Sequence, residues 1–297
     1  MDALLLTLPV VMAGLSVGAV YALSGVGLVV LYRASGVVNF AYGALGGLSA
    51  MVCWQVLDLD YADGWGIAAG IASATLLSWA YGRYIAPSLS HQDRTVRAMA
   101  TLGFALMIMG FAQWYWGDTP RRLVLPTDGD GFDFNGKRLI GHTRVAALLF
   151  ASAATLALVW LLAKTPLGLR MRALQSNRVL SALVGVRVKR VDTWAWTLAG
   201  VLAGVSGLFL GNMVRLNPTL LTFLVIPMMA SALVGRLSSL PATVAGGLVI
   251  GVIEALATVQ PQVQRYSSAT AFVVAILALL WQQRRGIGLT RDNSHEE

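Results

Sequence analysis

The sequence predicts an all-α integral membrane protein, a polytopic helical bundle of about eight or nine transmembrane helices with a short outer hairpin. Of its 297 residues, 57% are hydrophobic and only 12% are charged. A soluble domain of this length carries about 25% charged residues, and a single globular core also stops growing near this length. The apolar excess must therefore face lipid rather than water.

Nine stretches with almost no charge are the predicted membrane segments. Every Asp, Glu, Lys and Arg except Glu254 lies outside them. A helix needs about 20 apolar residues to cross a hydrocarbon core, and most of the stretches are long enough. The seventh is short and contains Pro227, so we expect it to be broken or partly re-entrant, which leaves eight crossings as the alternative. The stretches run roughly over 8–31, 36–57, 64–82, 98–116, 145–163, 193–214, 217–234, 238–259 and 266–283.

Glycines spaced four residues apart predict close packing between these helices, because small residues let helix backbones approach each other in lipid. The alternative is that several of them only relieve crowding at ordinary contacts. Six pairs in five of the nine segments favour a compact bundle. The pairs are Gly14/Gly18, Gly43/Gly47, Gly66/Gly70, Gly200/Gly204, Gly207/Gly211 and Gly247/Gly251.

Lys and Arg in the loops predict the orientation, because basic loops remain in the cytoplasm. The segment 164–192 carries seven basic residues and one acidic residue, and the loop 83–97 and the tail from residue 283 are also basic. We expect these three regions inside and the loops 58–63 and 117–144 outside. Nine crossings then place the N-terminus outside and the C-terminus in the cytoplasm. Since the basic residues are divided among loops, nucleic-acid binding is the poorer explanation of the net charge.

The outer loop 117–144 contains a hairpin signal. An Asn135-Gly136 pair separates two short stretches, 132–134 and 137–140. Asn-Gly between alternating residues is the strongest short-range signal for a two-residue hairpin turn. The sequence therefore predicts a solvated β-hairpin on the outer side.

The cytoplasmic segment 164–192 predicts a helix that does not span the membrane. Thr165 can cap its start and Pro166 suits the first turn. We expect one helix from Pro166 to about Val184, ended by Gly185. It is too polar to span, so it either lies on the membrane surface or docks into a partner. The apolar residues expected on one face are Leu169, Ala173, Leu180 and Val184.

Catalytic and metal-binding patterns have little support. The three histidines lie far apart in sequence, and Cys53 is the only cysteine, so no internal disulfide is possible. A P-loop needs Gly-Lys followed by Ser or Thr. The only Gly-Lys pair is Gly136-Lys137, which is followed by Arg138. The chain is therefore expected to be neither an enzyme nor a metalloprotein.

A set of motifs follows in order along the chain. Together they resemble the branched-chain amino-acid ABC transporter permease family, of the Liv type and its LivH-like subunit, over nearly the whole length. The motifs are Tyr21-Ala22-Leu23 with Gly27-Leu28, then Val38-Asn39-Phe40-Ala41-Tyr42-Gly43, Ala100-Thr101-Leu102-Gly103, Thr165-Pro166-Leu167-Gly168-Leu169-Arg170-Met171-Arg172-Ala173 with Asn177, Ala182 and Gly185-Val186, and finally Asn217-Pro218, Gly235, Ser239-Leu240-Pro241, Gly246-Gly247 and Glu254-Ala255.

The resemblance implies a single transmembrane permease domain over 1–297, in a bacterial inner-membrane ABC importer. Its substrate would be a small polar solute, most simply branched-chain amino acids or a related amino acid or amide. The implied partners are the lipid bilayer, a second permease subunit (identical or different), two cytoplasmic ABC ATPase subunits and a periplasmic solute-binding protein. ATP would be bound by the partner subunits, with no cofactor in this chain.

The resemblance also implies that 165–186 is a coupling helix seated in a groove of the ATPase. Close packing and charge-assisted bonds to the ATPase are expected there, and a larger side chain at Gly168 is expected to obstruct docking. The candidate coupling residues are Thr165, Gly168, Arg170, Arg172, Ala173, Asn177 and Gly185.

Candidate substrate-pathway residues are fewer, and each has a structural alternative. Asn39 can hydrogen-bond a zwitterion or bridge two helices. Thr101 can line a pore or bond to its own helix. An ionisable group inside a membrane is functional by default, but Glu254 can also lie at the interface. The candidates are Asn39, Tyr42, Gly43, Thr101, Gly103, Asn217 and Glu254.

Three departures from the family pattern leave the exact substrate open. Tyr42 stands where the family usually has His, and Ala242 where it favours Gly. Gly235-Arg236-Leu237-Ser238-Ser239 replaces the usual Gly-Gly-x-Gly-Ser. Two rival function classes remain: an ion-coupled secondary transporter, and a membrane enzyme or scaffold. Secondary transporters commonly carry several buried charges, whereas this chain offers one candidate.

Overall fold

The structure, a computed structural model, describes residues 2–128, 131–134, 137–259 and 270–280. In these ranges it consists of helices and one short β-hairpin. A π-helical turn, Tyr81–Ile85, follows the third helix. The helices are α1 (Asp2–Ser35), α2 (Tyr42–Asp58), α3 (Asp63–Ala80), α4 (Ala86–Ser88), α5 (Arg94–Trp116), α6 (His142–Lys164), α7 (Pro166–Ser176), α8 (Arg178–Leu183), α9 (Val188–Met213), α10 (Pro218–Phe223), α11 (Val225–Val234), α12 (Leu240–Val259) and α13 (Thr270–Leu280).

Each predicted apolar stretch corresponds to helix in the described ranges. Five helices, α1, α5, α6, α9 and α12, are long and apolar enough to cross a membrane by length and composition. Helices α2 and α3 are shorter, with 17 and 18 residues. Of the ninth stretch, 266–283, only α13 lies in the described residues. The fold is thus an all-α, multi-pass membrane protein, as the sequence predicts.

The seventh stretch is broken, as predicted, but the break is not at the expected residue. Helix α10 ends at Phe223 and α11 begins at Val225, so the interruption lies at Leu224. Pro227 is the third residue of α11. A proline is tolerated in the first turn of a helix because its missing N–H has no intrahelical acceptor there. Pro227 therefore marks the start of α11 rather than a kink within one helix.

Glycines bring the helix backbones together. At every member of the six predicted pairs, an added Cβ atom would lie within 4 Å of another part of the bundle. Between α1 and α12, a Cβ atom on Gly18 would lie 2.9 Å from the carbonyl oxygen of Gly247. Between α2 and α9, a Cβ atom on Gly207 would overlap the backbone of Gly46. Such contacts are closer than side chains allow, so the predicted close packing is confirmed.

The predicted hairpin is present between α5 and α6. Strand β1 (Gly131–Phe134) pairs antiparallel with β2 (Lys137–Gly141). Phe134 faces Lys137, and the register shifts between Phe132 and Asp133. The Asn135-Gly136 turn itself lies outside the described residues.

Helix connections collect at two opposite ends of the bundle. We call one the basic end; it contains the loop 36–41, the region 81–93 and the segment 165–187. There the Arg97 side chain donates to the Ser35 carbonyl at 2.8 Å. We call the other the hairpin end; it includes the loops 117–128 and 214–217 and the two strands of the hairpin. There the backbones of Arg121 and Leu216 exchange two hydrogen bonds, each 2.9 Å long.

Candidate functional site

The start of the coupling segment agrees with the sequence expectation. Thr165 is the N-cap of α7, and its hydroxyl oxygen accepts from the Gly168 N–H at 3.3 Å. Pro166 is the first residue of the helix. The same hydroxyl group donates to the Leu161 carbonyl at 2.6 Å. Thr165 therefore joins the end of α6 to the start of α7 and sets the bend between them.

The expected single helix from Pro166 to Val184 is wrong. The segment forms two helices, α7 and α8, because Asn177 adopts an extended conformation with φ −152° and ψ 110°. Its side-chain oxygen accepts from the Leu180 N–H at 3.0 Å. A short amide side chain that caps a new helix competes with continuation of the old one. Gly185, with φ +90°, follows α8 at its end, as expected.

Three of the four residues of the predicted apolar face, Leu169, Leu180 and Val184, are exposed. In α7 the buried residues are Gly168, Met171 and Leu174, which pack inward. Arg170 and Arg172 are exposed, and Ala173 is half-buried. Large apolar side chains instead point outward and form what we call the coupling surface: Leu169, Val179, Leu180, Leu183 and Val184, which are 59–81% exposed.

Gly168 faces the chain itself rather than a partner. A Cβ atom there would overlap the Leu162 backbone at the end of α6. A larger residue at this position would therefore clash within the chain, and its effect on docking stays a prediction. The glycine is required by the tight turn between α6 and α7.

An arginine clamp at the basic end, which the sequence did not indicate, holds the coupling segment to α9 and α1 and ties α5 to the same end of α1. Arg178 pairs with Asp192 of α9 and also donates to the Ala34 carbonyl of α1 at 2.9 Å. Arg97 of α5 reaches the neighbouring Ser35 carbonyl. The Asp192 side chain is only 14% exposed. The one available signal was that Asp192 is the single acid in a strongly basic segment.

The loop 36–41 lies next to this clamp and contains Asn39. Its side-chain oxygen accepts from the Ala41 N–H at 2.9 Å. Thr101 of α5 secures the same loop, because its hydroxyl oxygen accepts from the Phe40 N–H at 3.0 Å and lies 3.1 Å from the Val38 carbonyl. Asn39 thus caps its own loop rather than bridging two helices. Thr101 is also 2.7 Å from the Ala98 carbonyl of its own helix.

Tyr42 and Gly43 start α2 and are fully enclosed. The Tyr42 side chain has no exposed surface, and its hydroxyl lies beside Ser24 and Ser206. Gly43 meets α10, where a Cβ atom would overlap the Thr222 carbonyl. Gly103 lies elsewhere, on the outward face of α5 with no atom close enough to contact an added Cβ.

The last two candidates lie away from Asn39. Asn217 is at the hairpin end, where its amide donates to the Asp118 carboxylate at 2.9 Å. Glu254 is half-buried in α12, beside the buried Tyr21 of α1. The structure therefore brings Asn39, Tyr42, Gly43 and Thr101 together around one loop. It does not place Gly103, Asn217 or Glu254 with them.

A cavity of about 710 Å³ opens at the hairpin end. Its acid, Asp128, is already bonded, because it accepts from the Thr143 hydroxyl and the Asn212 amide, each at 2.6 Å. Four arginines line the same cavity: Arg121, Arg122, Arg144 and Arg215. Among the described residues, the side chains that line this opening carry a net positive charge. In the same part of the chain no group of three His, Cys, Asp or Glu side chains is arranged to hold a metal.

Comparison with known proteins gives matches along most of the chain. The family described as "Branched-chain amino acid transport system / permease component" matches residues 10–279. The high-affinity branched-chain amino acid permease LivH of Escherichia coli K12 is 25% identical, over 90% of this chain and 91% of its own. A probable LivH of Methanocaldococcus jannaschii is 28% identical, over 86% and 80%. The ribose import permease RbsC of Escherichia coli K12 is 22% identical, over 90% and 83%.

The family match spans the whole bundle, from α1 to α13, and includes the loop around Asn39 and the coupling segment. These are the two places where the structure gathers the residues that the sequence singled out. The chain therefore belongs to the family of branched-chain amino acid transport system permease components.

Proposed function

We propose that this chain is the transmembrane permease subunit of an ABC importer, forming a single permease domain in the bacterial inner membrane. Its partners are two cytoplasmic ATPase subunits, a second permease subunit and a periplasmic solute-binding protein. ATP is bound and hydrolysed by the ATPase subunits. The solute is a branched-chain amino acid or a related amino acid or amide, as the names of its LivH relatives suggest.

The coupling surface is the observation that carries this proposal. Its five apolar side chains point away from the bundle at an end that is rich in Arg and Lys. Large exposed apolar patches with a polar rim usually mark an interaction site. Arg170 and Arg172 beside it offer charge-assisted hydrogen bonds to carboxylates of a partner. We take the ATPase to be this partner, in which case the basic end faces the cytoplasm.

A substitution of one apolar residue tests whether the coupling surface docks into the ATPase. The substitution Leu183→Glu places a charge at the centre of the coupling surface without touching the packed face of α7. We expect the cognate ATPase, co-expressed with this variant, to lose most of its copurification with the permease. The matched control is Val124→Glu at the hairpin end, where Val124 is 57% exposed. Equal recovery of ATPase with both variants would contradict the proposed coupling surface.

The ATPase requirement is tested by activity. The purified chain alone should hydrolyse no ATP, whereas the complete complex should hydrolyse it. The rate of hydrolysis should rise when solute-loaded binding protein is added. Solute uptake by the chain alone in liposomes, driven by an ion gradient, would instead favour the ion-coupled secondary transporter.

The substrate class is supported by the cavity beside Asn39. Its other lining side chains are apolar except Tyr32, and include Leu28 and Met229. These apolar walls suit the hydrocarbon side chain of an aliphatic amino acid, whereas the hydroxyl groups of a sugar are spread over the whole ring and would each need a polar partner. This favours an aliphatic amino acid over ribose, the solute of the RbsC relative. The ligand of the cognate binding protein, identified by calorimetry against leucine, isoleucine, valine and ribose, tests this assignment.

A further inference from the structure

The side-chain oxygen of Asn39 is hydrogen-bonded, whereas its side-chain nitrogen is not. Asn39 is 1% exposed, and its side-chain oxygen accepts from the Ala41 N–H. Only the oxygen can accept from a backbone N–H, so this bond fixes which way the amide points. The amide nitrogen is then a buried donor with no hydrogen-bond partner in the described structure. Leaving such a donor unpaired costs about 1–3 kcal/mol, so a water molecule or a solute atom is expected to pair with it.

Asn39 lines a small cavity between α1 and the end of α11. Its walls include Leu28 of α1, Met229 and Leu233 of α11, and Leu237 of the following turn. Ligand pockets typically combine apolar walls with a few fixed polar groups that orient the ligand. An apolar pocket beside one fixed N–H donor, which a movement of the walls would expose, suits an aliphatic solute that carries an acceptor oxygen.

The cavity is closed in this conformation. It encloses about 20 Å³, which is about enough for one water molecule. An amino acid can enter only after one wall moves. The candidate wall is Leu237, because it belongs to the exposed turn between α11 and α12 rather than to a packed helix.

That turn is also strained. Arg236 and Leu237 have φ angles of 53° and 52°, in the left-handed region that favours glycine. For other residues this conformation costs roughly 1–2 kcal/mol each. The strain is held by two hydrogen bonds, from the Arg236 N–H to the Leu233 carbonyl and from the Leu237 N–H to the Ala232 carbonyl, at 2.8 and 2.9 Å. Rotation of the turn would relieve the strain and withdraw Leu237 from the cavity.

We propose that the Asn39 amide nitrogen is the donor of a transient solute subsite that opens when the turn 235–239 moves. The ligand class is an aliphatic amino acid, whose carboxylate oxygen accepts from the amide while its side chain contacts Leu28 and Met229. The turn acts as the lid through Leu237. This inference rests on the proposed function and adds the atom that recognises the solute and the segment that admits it.

The substitution Asn39→Asp tests the donor while preserving the loop. The new side chain keeps the oxygen that accepts from the Ala41 N–H, but it replaces the donor with a negative charge. Asn39→Ser is a second variant, since serine can also cap a loop and lacks the amide nitrogen. Gln92→Glu is the matched control, because it makes the same amide-to-carboxylate change on an exposed loop residue.

The complete importer, reconstituted with saturating binding protein, is assayed with leucine and with leucinamide, whose neutral amide replaces the carboxylate. We expect the leucine-to-leucinamide uptake ratio to fall at least tenfold in Asn39→Asp and to fall in Asn39→Ser. Copurification of the ATPase subunits, which reports an assembled complex, should be retained in both variants, and Gln92→Glu should match the wild type.

Two results would count against different ideas. If the uptake ratio stays at the wild-type value in both variants, or both solutes lose uptake equally, Asn39 is only a loop cap and the subsite is overturned. If the wild-type importer moves neither solute but moves another class, the proposed function fails instead.

Discussion

Arg178 and Asp192 form an ion pair that ties the second helix of the coupling segment to the first turns of α9. The other guanidinium amine of Arg178 donates to the Ala34 carbonyl, two residues before the loop 36–41 begins. Arg97, one helical turn before Thr101, bonds to the adjacent Ser35 carbonyl. A displacement of α8 would therefore be transmitted to the loop that carries Asn39.

Removal of the arginine should break this connection. We expect Arg178→Ala to lower the free energy of unfolding by about 2 kcal/mol, since hydrogen bonds to charged groups contribute roughly 1.5–3 kcal/mol. Solute uptake should fall by more than the loss of folded protein accounts for, because α8 would no longer be connected to the end of α1. ATPase copurification should remain. The measurements are thermal unfolding in detergent, ATPase pull-down and uptake in liposomes.

A double-mutant cycle separates the ion pair from other effects of Arg178. Asp192→Ala and the double variant complete the cycle, and we expect the two single losses to add up to more than the double loss. Arg170→Ala, an exposed arginine of α7, should change stability by less than about 0.5 kcal/mol. Additive losses, or an equal effect of Arg170→Ala, would show that the pair makes no specific connection.

Gly168 should not tolerate even a methyl group. In Gly168→Ala the new Cβ atom would overlap the Leu162 carbonyl, so the turn between α6 and α7 must open. We expect a loss of about 2 kcal/mol, in the range of overpacking, together with weaker uptake. The readout is the thermal midpoint in detergent. Gly64→Ala is the control, because nothing lies within 4 Å of its added Cβ; if the two variants unfold alike, the turn is not as tight as described.

The orientation of the bundle can be tested with two cysteines. In a Cys53→Ser background, Ser176→Cys at the basic end should react with an impermeant maleimide only in inside-out vesicles. Asp58→Cys at the hairpin end should react only in right-side-out vesicles. The unmodified chain is the control, since Cys53 is fully buried and should label from neither side. Labelling of both introduced cysteines from one side would exclude the proposed topology.

The bundle could be predicted because lipid imposes strong and local requirements. A spanning helix needs a long uncharged stretch, and such stretches are visible without knowing what packs against them. Close helix contacts need small residues. The pairs Gly14/Gly18 and Gly247/Gly251 could therefore be recognised by their four-residue spacing before their partners were known. The hairpin was also local, since its signal lies in two adjacent residues.

The candidate site was less predictable because it depends on contacts between distant residues. Thr101 bonds to Phe40 across 61 positions, and Arg178 bonds to Ala34 across 144. No periodic pattern encodes such pairs. The break at Asn177 was missed for a different reason: one side-chain cap outweighed the helical pattern of Pro166–Ser176 and its continuation.

The close contact between α1 and α12 supplies the last prediction. Gly251 of α12 lies against the backbone of Gly18 in α1, where an added Cβ atom would overlap main-chain atoms that cannot move aside. We expect Gly251→Val to force α1 and α12 apart and to cost about 3 kcal/mol, at the upper end of overpacking. The measurement is the thermal midpoint of the purified chain, with size-exclusion chromatography to detect aggregation. Gly110→Val, on the outward face of α5 with nothing within 4 Å of its Cβ, is the mid-helix control. Should Gly251→Val remain as stable as this control, the two helices do not pack through their glycines.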